Sequence, residues 1–475
     1  MPEGNLKMLS YNLSEAKGPL YKSLYQFIRE DIQSGKLKAN EKLPSKRSLA
    51  QNLGISTISI ENAYDQLICE GYIYSLPKRG YFVAEIENIN ELKPKSVPKS
   101  EAKINIHERG KESDLFDFSS NRVEKENFPF SIWAKILREI ISQNESQLLE
   151  VSPCGGVREL REAIANHLES FRGMSVNPDQ IIVGAGTEYL YGLLTKLLGN
   201  DKTYCIENPG YKKLKKIYES NGAKCLAVDM DEQGLSIEKL RSANGQIAHI
   251  SPTHHFPTGI CMPASRRYEM LAWANESEEN YIIEDDYDSE FRLKGKPLPP
   301  LFSLDIFGKV IYMNTFSKSL TSTIRISYMI LPEKLANLFY QKLAFYSCTV
   351  STFEQYTLAS FISKGFFEKH INRMRLHYGR KRTRIIEAIK RYFSGNECQI
   401  IENDSGLHFI LKFNTPLTDE QFKEILSSKG ILISSISDFE MNDKPQSSHK
   451  FILNYSSIDM EKLNSSLKKL REALI

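Results

Sequence analysis

The chain has 475 residues, with 62 Lys and Arg against 59 Asp and Glu and a formal net charge of +3. This length exceeds what one hydrophobic core usually organises, so we expect at least two domains. Because the charge is nearly balanced, binding to nucleic acid would require a local basic patch. The seven cysteines form no C-x-x-C pair, which argues against a disulfide framework or a structural zinc site.

The N-terminus lacks the apolar core of a signal peptide, and no run of about 18 apolar residues follows. We therefore expect a cytoplasmic protein that does not contact a membrane, and we assign no metal ligand.

The first predicted element is an amphipathic helix in PLYKSLYQFIREDIQSG, which ends near Gly35. Ser45 is a start signal for a second, short helix, and Ser56 opens a third after the tight connection at Gly54. Two short helices joined by a turn indicate a helix-turn-helix. The following YIYSLPKRGYFVAEI predicts two brief strands around the basic turn 77–80, which is a wing.

In a winged helix, small hydroxyls and basic side chains bind phosphates, while the first turn of the second motif helix faces the base edges. By position, the candidate DNA-binding residues are Ser45, Lys46 and Arg47 in the first motif helix, Ser56, Thr57 and Ser59 in the recognition helix, and Lys78 and Arg79 in the wing. Each residue alone is also typical of a cap, a turn or a charged surface. Their joint order favours DNA binding.

This segment resembles the winged-helix domain of GntR-type transcription regulators. LPSKRSLAQNLG and RGYFV match the family patterns L-P-S-x-R-x-L-A-x-x-L-G and G-x-F-V. The resemblance implies binding to operator double-stranded DNA. The family commonly has arginine where this chain has Thr57, so we expect different base readout there. We assign residues 12–84 to this domain, and residues 85–113, which are polar and carry two prolines, to a linker.

From residue 114 to 475, apolar strand-like runs alternate with helical stretches, which indicates an α/β sheet. The runs are QIIVGAG, TYCIE, KCLAVD, QIAHISP, YIIEDD, KVIYMNT and ISYMILP. Lys318 lies just past one of them. Because open α/β sheets bind ligands at the ends of their strands, we predict a ligand site around this lysine.

A lysine that forms a Schiff base with pyridoxal 5′-phosphate (PLP) needs an anion pocket, a carboxylate for the ring nitrogen, a stacking ring and a donor to the phenolate oxygen. The sequence offers candidates for each: Gly186, Thr187, Thr315, Ser317 and Arg325 for the phosphate, Asp285 for the ring nitrogen, Tyr211 for stacking, Tyr287 for the phenolate oxygen, and His254 in a nearby loop. Asp286 and Asp288 are alternatives to Asp285. A structural turn is the alternative explanation for the glycines.

Together these stretches resemble the fold-type I aminotransferase domain, and a winged helix joined to it resembles the MocR/GabR subfamily of GntR regulators. Family members carry T-F-S-K-S-L with an arginine seven residues after the lysine, D-D-Y-D-S-E-F and P-G-Y; the matching segments here are 315–320, 285–291 and 209–211. The resemblance implies a multidomain fold, an N-terminal winged helix-turn-helix plus a large α/β PLP-dependent aminotransferase domain over residues 114–475. It also implies a homodimer that senses a small molecule through PLP on Lys318.

The departures from the family concern the effector. Aminotransferases usually bind a substrate carboxylate through an arginine near the C-terminus, and KFILNYSS has only Lys450. We therefore favour a regulator that senses PLP or an amino compound and controls vitamin B6 or amino-acid metabolism. The resemblance implies two kinds of effector, γ-aminobutyrate and PLP itself. The missing arginine favours PLP, whose sensors in the family control vitamin B6 synthesis. We assign no catalytic residue. The alternatives are an active PLP-dependent aminotransferase and a DNA-binding protein whose large domain only dimerises. The sequence does not explain Glu188 beside the phosphate.

Overall fold

The structure is a computed structural model that describes residues 9–13, 18–86, 115–120, 127–143, 145–293, 298–402, 406–441 and 447–474. The chain divides into two compact units, Met1–Arg109 and Gly110–Ile475. The predicted linker, 85–113, lies outside the described residues from 87 onward. Among the helices that the structure describes, none combines the length and the apolar character that a membrane crossing requires.

The smaller unit contains three helices and a small antiparallel sheet with the strand order β1-β3-β2. Its elements are α1 (Leu20–Gln33), β1 (Lys42–Leu43), α2 (Lys46–Leu53), α3 (Thr57–Cys69), β2 (Ile73–Leu76) and β3 (Gly80–Val83). The helices pack around fully buried Leu24, Ile28, Leu49, Ile60 and Tyr64. The predicted helix-turn-helix with a wing is confirmed.

Local signals determine where the two motif helices begin and end. The Ser45 side chain accepts a hydrogen bond from the backbone N–H of Ser48 at 3.2 Å, and Ser56 does the same for Ser59 at 3.2 Å. Such caps satisfy backbone donors that have no partner inside the helix. Gly54, with φ of 68°, ends α2 in the left-handed conformation that glycine adopts without strain.

The larger unit alternates helices and strands, as the sequence predicts. The helices described are α4 (Phe130–Gln143), α5 (Glu145–Leu148), α6 (Arg158–Arg172), α7 (Thr187–Leu198), α8 (Lys212–Ser220), α9 (Ile237–Ser242), α10 (Ala264–Asn275), α11 (Phe316–Ser319), α12 (Glu333–Leu343), α13 (Thr352–Ser363), α14 (Phe366–Tyr392), α15 (Asp419–Ser428) and α16 (Leu463–Arg471). The strands described are β4 (Phe116–Asp117), β5 (Ile181–Gly184), β6 (Thr203–Asn208), β7 (Lys224–Asp231), β8 (Gly234–Leu235), β9 (Ile247–Ile250), β10 (Tyr281–Asp285), β11 (Val310–Thr315), β12 (Ser327–Ile330), β13 (Cys398–Ile401), β14 (His408–Phe413), β15 (Ile431–Leu432), β16 (Ser434–Ser435) and β17 (Lys450–Asn454).

The main sheet has eight strands in the order β5-β12-β11-β10-β9-β6-β7-β8. The central strands β11, β10, β9, β6 and β7 run parallel, whereas β12 is antiparallel to both of its neighbours. All seven strand-like runs predicted from the sequence lie in this sheet, which confirms the α/β assignment. A second, four-stranded sheet has the order β13-β14-β17-β16.

Helices cover both faces of the main sheet. Along β5, Ile181 and Val183 pack into one buried apolar cluster with α6 and α13, while Ile182 packs into another with α7 and α8. Strands buried on both faces in this way are typical of parallel α/β sheets. The loops after β6, β9, β10 and β11 therefore meet at one edge of the sheet, where a ligand can reach them.

Candidate functional site

A cavity of about 410 Å³ opens at the carboxyl ends of the central strands. Eight of the ten residues that the sequence predicts to bind the cofactor line it: Thr187, Tyr211, Asp285, Tyr287, Thr315, Ser317, Lys318 and Arg325. The remaining two, Gly186 and His254, lie behind lining residues. Tertiary structure thus brings together residues that are up to 138 positions apart, from Thr187 to Arg325.

Lys318 lies on α11, the short helix that directly follows β11. Thr315 holds the start of this helix, because its hydroxyl accepts the backbone N–H of Ser317 at 3.1 Å. Burial lowers the pKa of Lys318, and the negative charge of Asp288 partly opposes this shift. A lowered pKa makes the neutral, nucleophilic amine available nearer to neutral pH.

Asp285 ends β10, and its two carboxylate oxygens differ in their hydrogen bonding. Its Oδ2 accepts a hydrogen bond from the Tyr191 hydroxyl at 2.6 Å and lies 3.5 Å from Nε2 of His249. Its Oδ1 is buried and has no hydrogen-bond partner among the described residues. A buried, unsatisfied carboxylate oxygen is costly, so this atom is a ready acceptor for a donor carried by a ligand.

The two alternative acids have other partners. Asp286 is buried, and it accepts hydrogen bonds from Arg172 at 2.5 Å and from the Tyr312 hydroxyl at 2.7 Å. Its carboxylate therefore interacts with the interior of the protein and does not line the cavity. Asp288 lines the cavity and lies 2.8 Å from Nδ1 of His254. Of the three acids, Asp285 therefore combines exposure to the cavity with an unpartnered oxygen.

Arg325 lines one end of the cavity, and Gly186 lies against its guanidinium. A Cβ atom at position 186 would lie 2.4 Å from Nη2 of Arg325, so only glycine lets the guanidinium come this close. Gly186 is also the N-cap of α7, with φ of 90°. A guanidinium beside the positive end of a helix is a favourable environment for an anion.

Glu188, which the sequence left unexplained, lines the cavity near this end and forms a short ion pair with Lys213 on α8. The lysine balances the acid's charge, so the carboxylate does not face the anion subsite alone.

His254 does not line the cavity. It is buried, lies against Asp288 as described, and its Nδ1 is 3.4 Å from the Tyr287 hydroxyl. His254 is therefore placed to orient two lining residues. Its neighbour His255 does line the cavity, and its Nε2 is 3.4 Å from Oε2 of Glu207.

Sequence reasoning missed several lining residues, among them Tyr191, Glu207, His249 and His408. For two of them, the sequence contains a pattern that points to a place in the cavity. Tyr191 follows Thr187 by one helical turn, and His249 is the polar residue inside the apolar run QIAHISP. Burial raises the pKa of Glu207 to about 8. Glu207 and His408 carry no local signal, because their place in the cavity depends on strand order.

In the smaller unit, the candidate DNA-binding residues separate into two groups. Arg47, Thr57, Lys78 and Arg79 are exposed. Lys46 instead forms ion pairs with Glu61 at 2.8 Å and Asp65 at 3.4 Å. The hydroxyls of Ser45 and Ser56 cap the two motif helices, and the Ser59 hydroxyl is hydrogen-bonded to that of Ser56.

Sequence reasoning also passed over Ile58 in the first turn of α3. This large apolar side chain is 67% exposed, between Thr57 and Ser59. An apolar side chain in the turn that is predicted to face the bases would suit contact with a thymine methyl group.

Comparisons with known proteins agree over nearly the whole chain. Residues 20–83 match the model described as "Bacterial regulatory proteins, gntR family". The chain is 35% identical over 458 residues to the HTH-type transcriptional regulator YdeL of Bacillus subtilis, with 96% of each chain covered. It is 31% identical to the probable rhizopine catabolism regulatory protein MocR of Rhizobium meliloti (97% and 95% covered) and 30% identical to the pyridoxine biosynthesis regulator PdxR of Corynebacterium glutamicum (88% of each).

The larger unit resembles solved aminotransferases. The multiple substrate aminotransferase from Thermococcus profundus superposes with a TM-score of 0.67 at 23% identity, covering 76% of this chain and 91% of that chain. Identity this low shows the fold alone, and that fold is the predicted fold-type I domain. A winged helix of the GntR type, an aminotransferase-like fold and nearly full-length relatives named as regulators lead to one conclusion: the chain belongs to the MocR type of GntR-family transcription regulators.

Proposed function

We propose that this regulator binds PLP on Lys318 and that PLP, or an amino compound that meets it there, changes how the winged helices bind operator DNA. The observation that supports the proposal most is the cavity itself. It joins a lysine of lowered pKa, a carboxylate with an unpartnered oxygen and a guanidinium beside a helix N-terminus.

The residues present fit the cofactor. Lys318 would hold it covalently; Arg325, Ser317, Thr315 and the Gly186–Thr187 end of α7 would hold its phosphate, and Tyr211 would lie against its ring. The free Oδ1 of Asp285 suits a protonated ring nitrogen. Burial raises the pKa of Tyr287 well above its ordinary value, so its hydroxyl keeps the proton that it would donate to the phenolate oxygen. When bound, PLP supplies an aldehyde carbon that reacts with amines and a ring that withdraws electrons from them.

We further propose domain limits of 12–84 and 114–475, a location in the cytoplasm and a homodimer. Two winged helices related by a two-fold axis would then bind two DNA half-sites. The eight predicted DNA contacts remain proposals, and we expect the largest effects from the exposed residues Arg47, Thr57, Lys78 and Arg79.

A working aminotransferase is the second candidate function, favoured by the fold of the larger unit. An amino-acid substrate would need a cation for its carboxylate, and Lys450 is not among the residues that line the cavity. The relatives are moreover named as regulators of transcription. We therefore propose regulation, and no sustained turnover, as the function.

The test is the visible absorption spectrum of the purified, PLP-supplemented protein, followed by borohydride trapping and peptide mapping. We expect visible absorption and a trapped label on Lys318 in the wild type, and neither in Lys318→Ala. Lys334→Ala, which removes an exposed lysine outside the cavity, should match the wild type. A wild type that added PLP leaves colourless, or a label on another lysine, would contradict the proposal.

A further inference from the structure

We propose that the effector of this cavity is a small amine that carries no carboxylate, and that Ile452 is the residue that sets this preference. The inference deepens the proposed function and rests on it, because it takes the Lys318 end of the cavity to hold PLP. The effector would then also meet lining residues that we do not assign to PLP, and we call five of these the distal wall. The distal wall consists of Ser119, His408, Ser434, Ile452 and Asn454.

The charges around the cavity oppose a carboxylate. Among the described lining residues, the lysines and arginines are Lys318 and Arg325, and PLP would occupy both. Of the four acids that line it, Glu188 is balanced by Lys213 and burial raises the pKa of Glu207 to about 8, which leaves Asp285 and Asp288. An incoming carboxylate would therefore lose its hydration without gaining a cationic partner, whereas an amine would enter a favourable field.

The distal wall is polar but uncharged. The Ser434 hydroxyl donates to that of Ser119 at 2.9 Å, and Oδ1 of Asn454 accepts from the backbone N–H of Ser456 at 3.1 Å. Burial lowers the pKa of His408 well below its ordinary value, so the ring is neutral. Hydroxyl, amide and neutral imidazole groups suit a ligand that ends in a hydroxyl or an apolar group.

Ile452 is the apolar side chain of the distal wall, so a cation in its place would line the cavity. It is 3% exposed and packs with Ile410 and Ile436 in a small apolar cluster. The register of β17 explains why Lys450 does not substitute for such a cation. Ile452 pairs with Ile410 and Asn454 with His408, whereas Lys450 lies beyond them, opposite Lys412 and outside the lining residues.

The experiment is isothermal titration of the PLP-loaded, full-length protein with two matched pairs of amines. The pairs are 4-aminobutan-1-ol with γ-aminobutyrate, and tyramine with tyrosine. We expect the member without a carboxylate to bind at least about tenfold more tightly in at least one pair. Equal or tighter binding of the carboxylate in both pairs, or no binding by any of the four amines, would overturn the inference.

Ile452→Arg tests the residue. This variant should bind γ-aminobutyrate at least about tenfold more tightly than the wild type does, because a guanidinium then faces the carboxylate. Lys450→Arg, the same new side chain on the same strand but outside the wall, should keep the wild-type preference. An unchanged preference in a folded Ile452→Arg would remove Ile452 from the proposal. If that variant does not fold, the matched pairs on the wild type still decide the ligand class.

The visible spectrum of each sample separates the two possible failures. A wild type that never acquires visible absorption contradicts the proposed function. A wild type that does acquire it but prefers the carboxylate contradicts only the inference about the effector.

Discussion

At the scale of single residues, burial and the charge of Asp288 have opposite effects on the pKa of Lys318. Burial lowers the pKa of Lys318, and the Asp288 charge raises it. Asp288→Asn removes the opposing charge, so the pKa of Lys318 should fall further. The apoprotein should then react with PLP at lower pH than the wild type. The rate at which visible absorption appears, recorded against pH by stopped flow, measures this shift.

Glu278→Gln is the matched control, since it removes an exposed acid outside the cavity and should leave the pH profile unchanged. A profile of Asp288→Asn that stays in place or moves to higher pH would show that Asp288 does not act on Lys318 electrostatically.

At the scale of elements, we expect α2, α3 and the wing to make different kinds of contact with DNA. Arg47 and Arg79 are exposed, so Arg47→Ala or Arg79→Ala should weaken binding to all sequences and reduce the salt slope by about 1. Lys46→Ala should change the slope less, because Glu61 and Asp65 already neutralise this lysine. Fluorescence anisotropy with labelled duplexes over a salt series measures the slopes.

Ile58→Ala provides the complementary control on α3. Its side chain carries no charge, so the salt slope should stay while the discrimination between operator and random duplex falls. If the salt slope changed equally in Arg47→Ala, Arg79→Ala, Lys46→Ala and Ile58→Ala, the four substitutions would share one structural effect and would not remove separate DNA contacts.

At the scale of the whole molecule, regulation requires that the larger unit influences the smaller one. PLP added to the apoprotein should change its affinity for operator DNA by at least about fivefold, the lower end of usual coupling energies. Lys318→Ala should bind the operator but lose this response. The same anisotropy assay, with and without PLP, gives both values. An affinity that PLP leaves unchanged in the wild type would favour a large domain that only dimerises.

Local sequence patterns were sufficient to predict the helices, strands and turns named above. The caps at Ser45 and Ser56, the wing turn and the seven apolar runs each depend on neighbours within a few residues, and all form where they are predicted. The short motifs around Lys318, Asp285 and Tyr211 follow the same rule, because each stands at the end of its own strand. The sequence by itself thus determined the two-part fold class and the strand ends where a ligand would bind.

Tertiary structure determined which residues at those strand ends line the cavity and which partners they have. The sequence leaves Asp286 and Asp288 open as alternatives to Asp285, and the packing of Arg172 against Asp286 and of His254 against Asp288 distinguishes them. Glu207 and His408 come from distant strands, and the pairing of β17 with β14 decides that Ile452, and not Lys450, lines the cavity. The physical reason is that charge, burial and hydrogen bonding act across space, between strands whose order the local pattern does not contain.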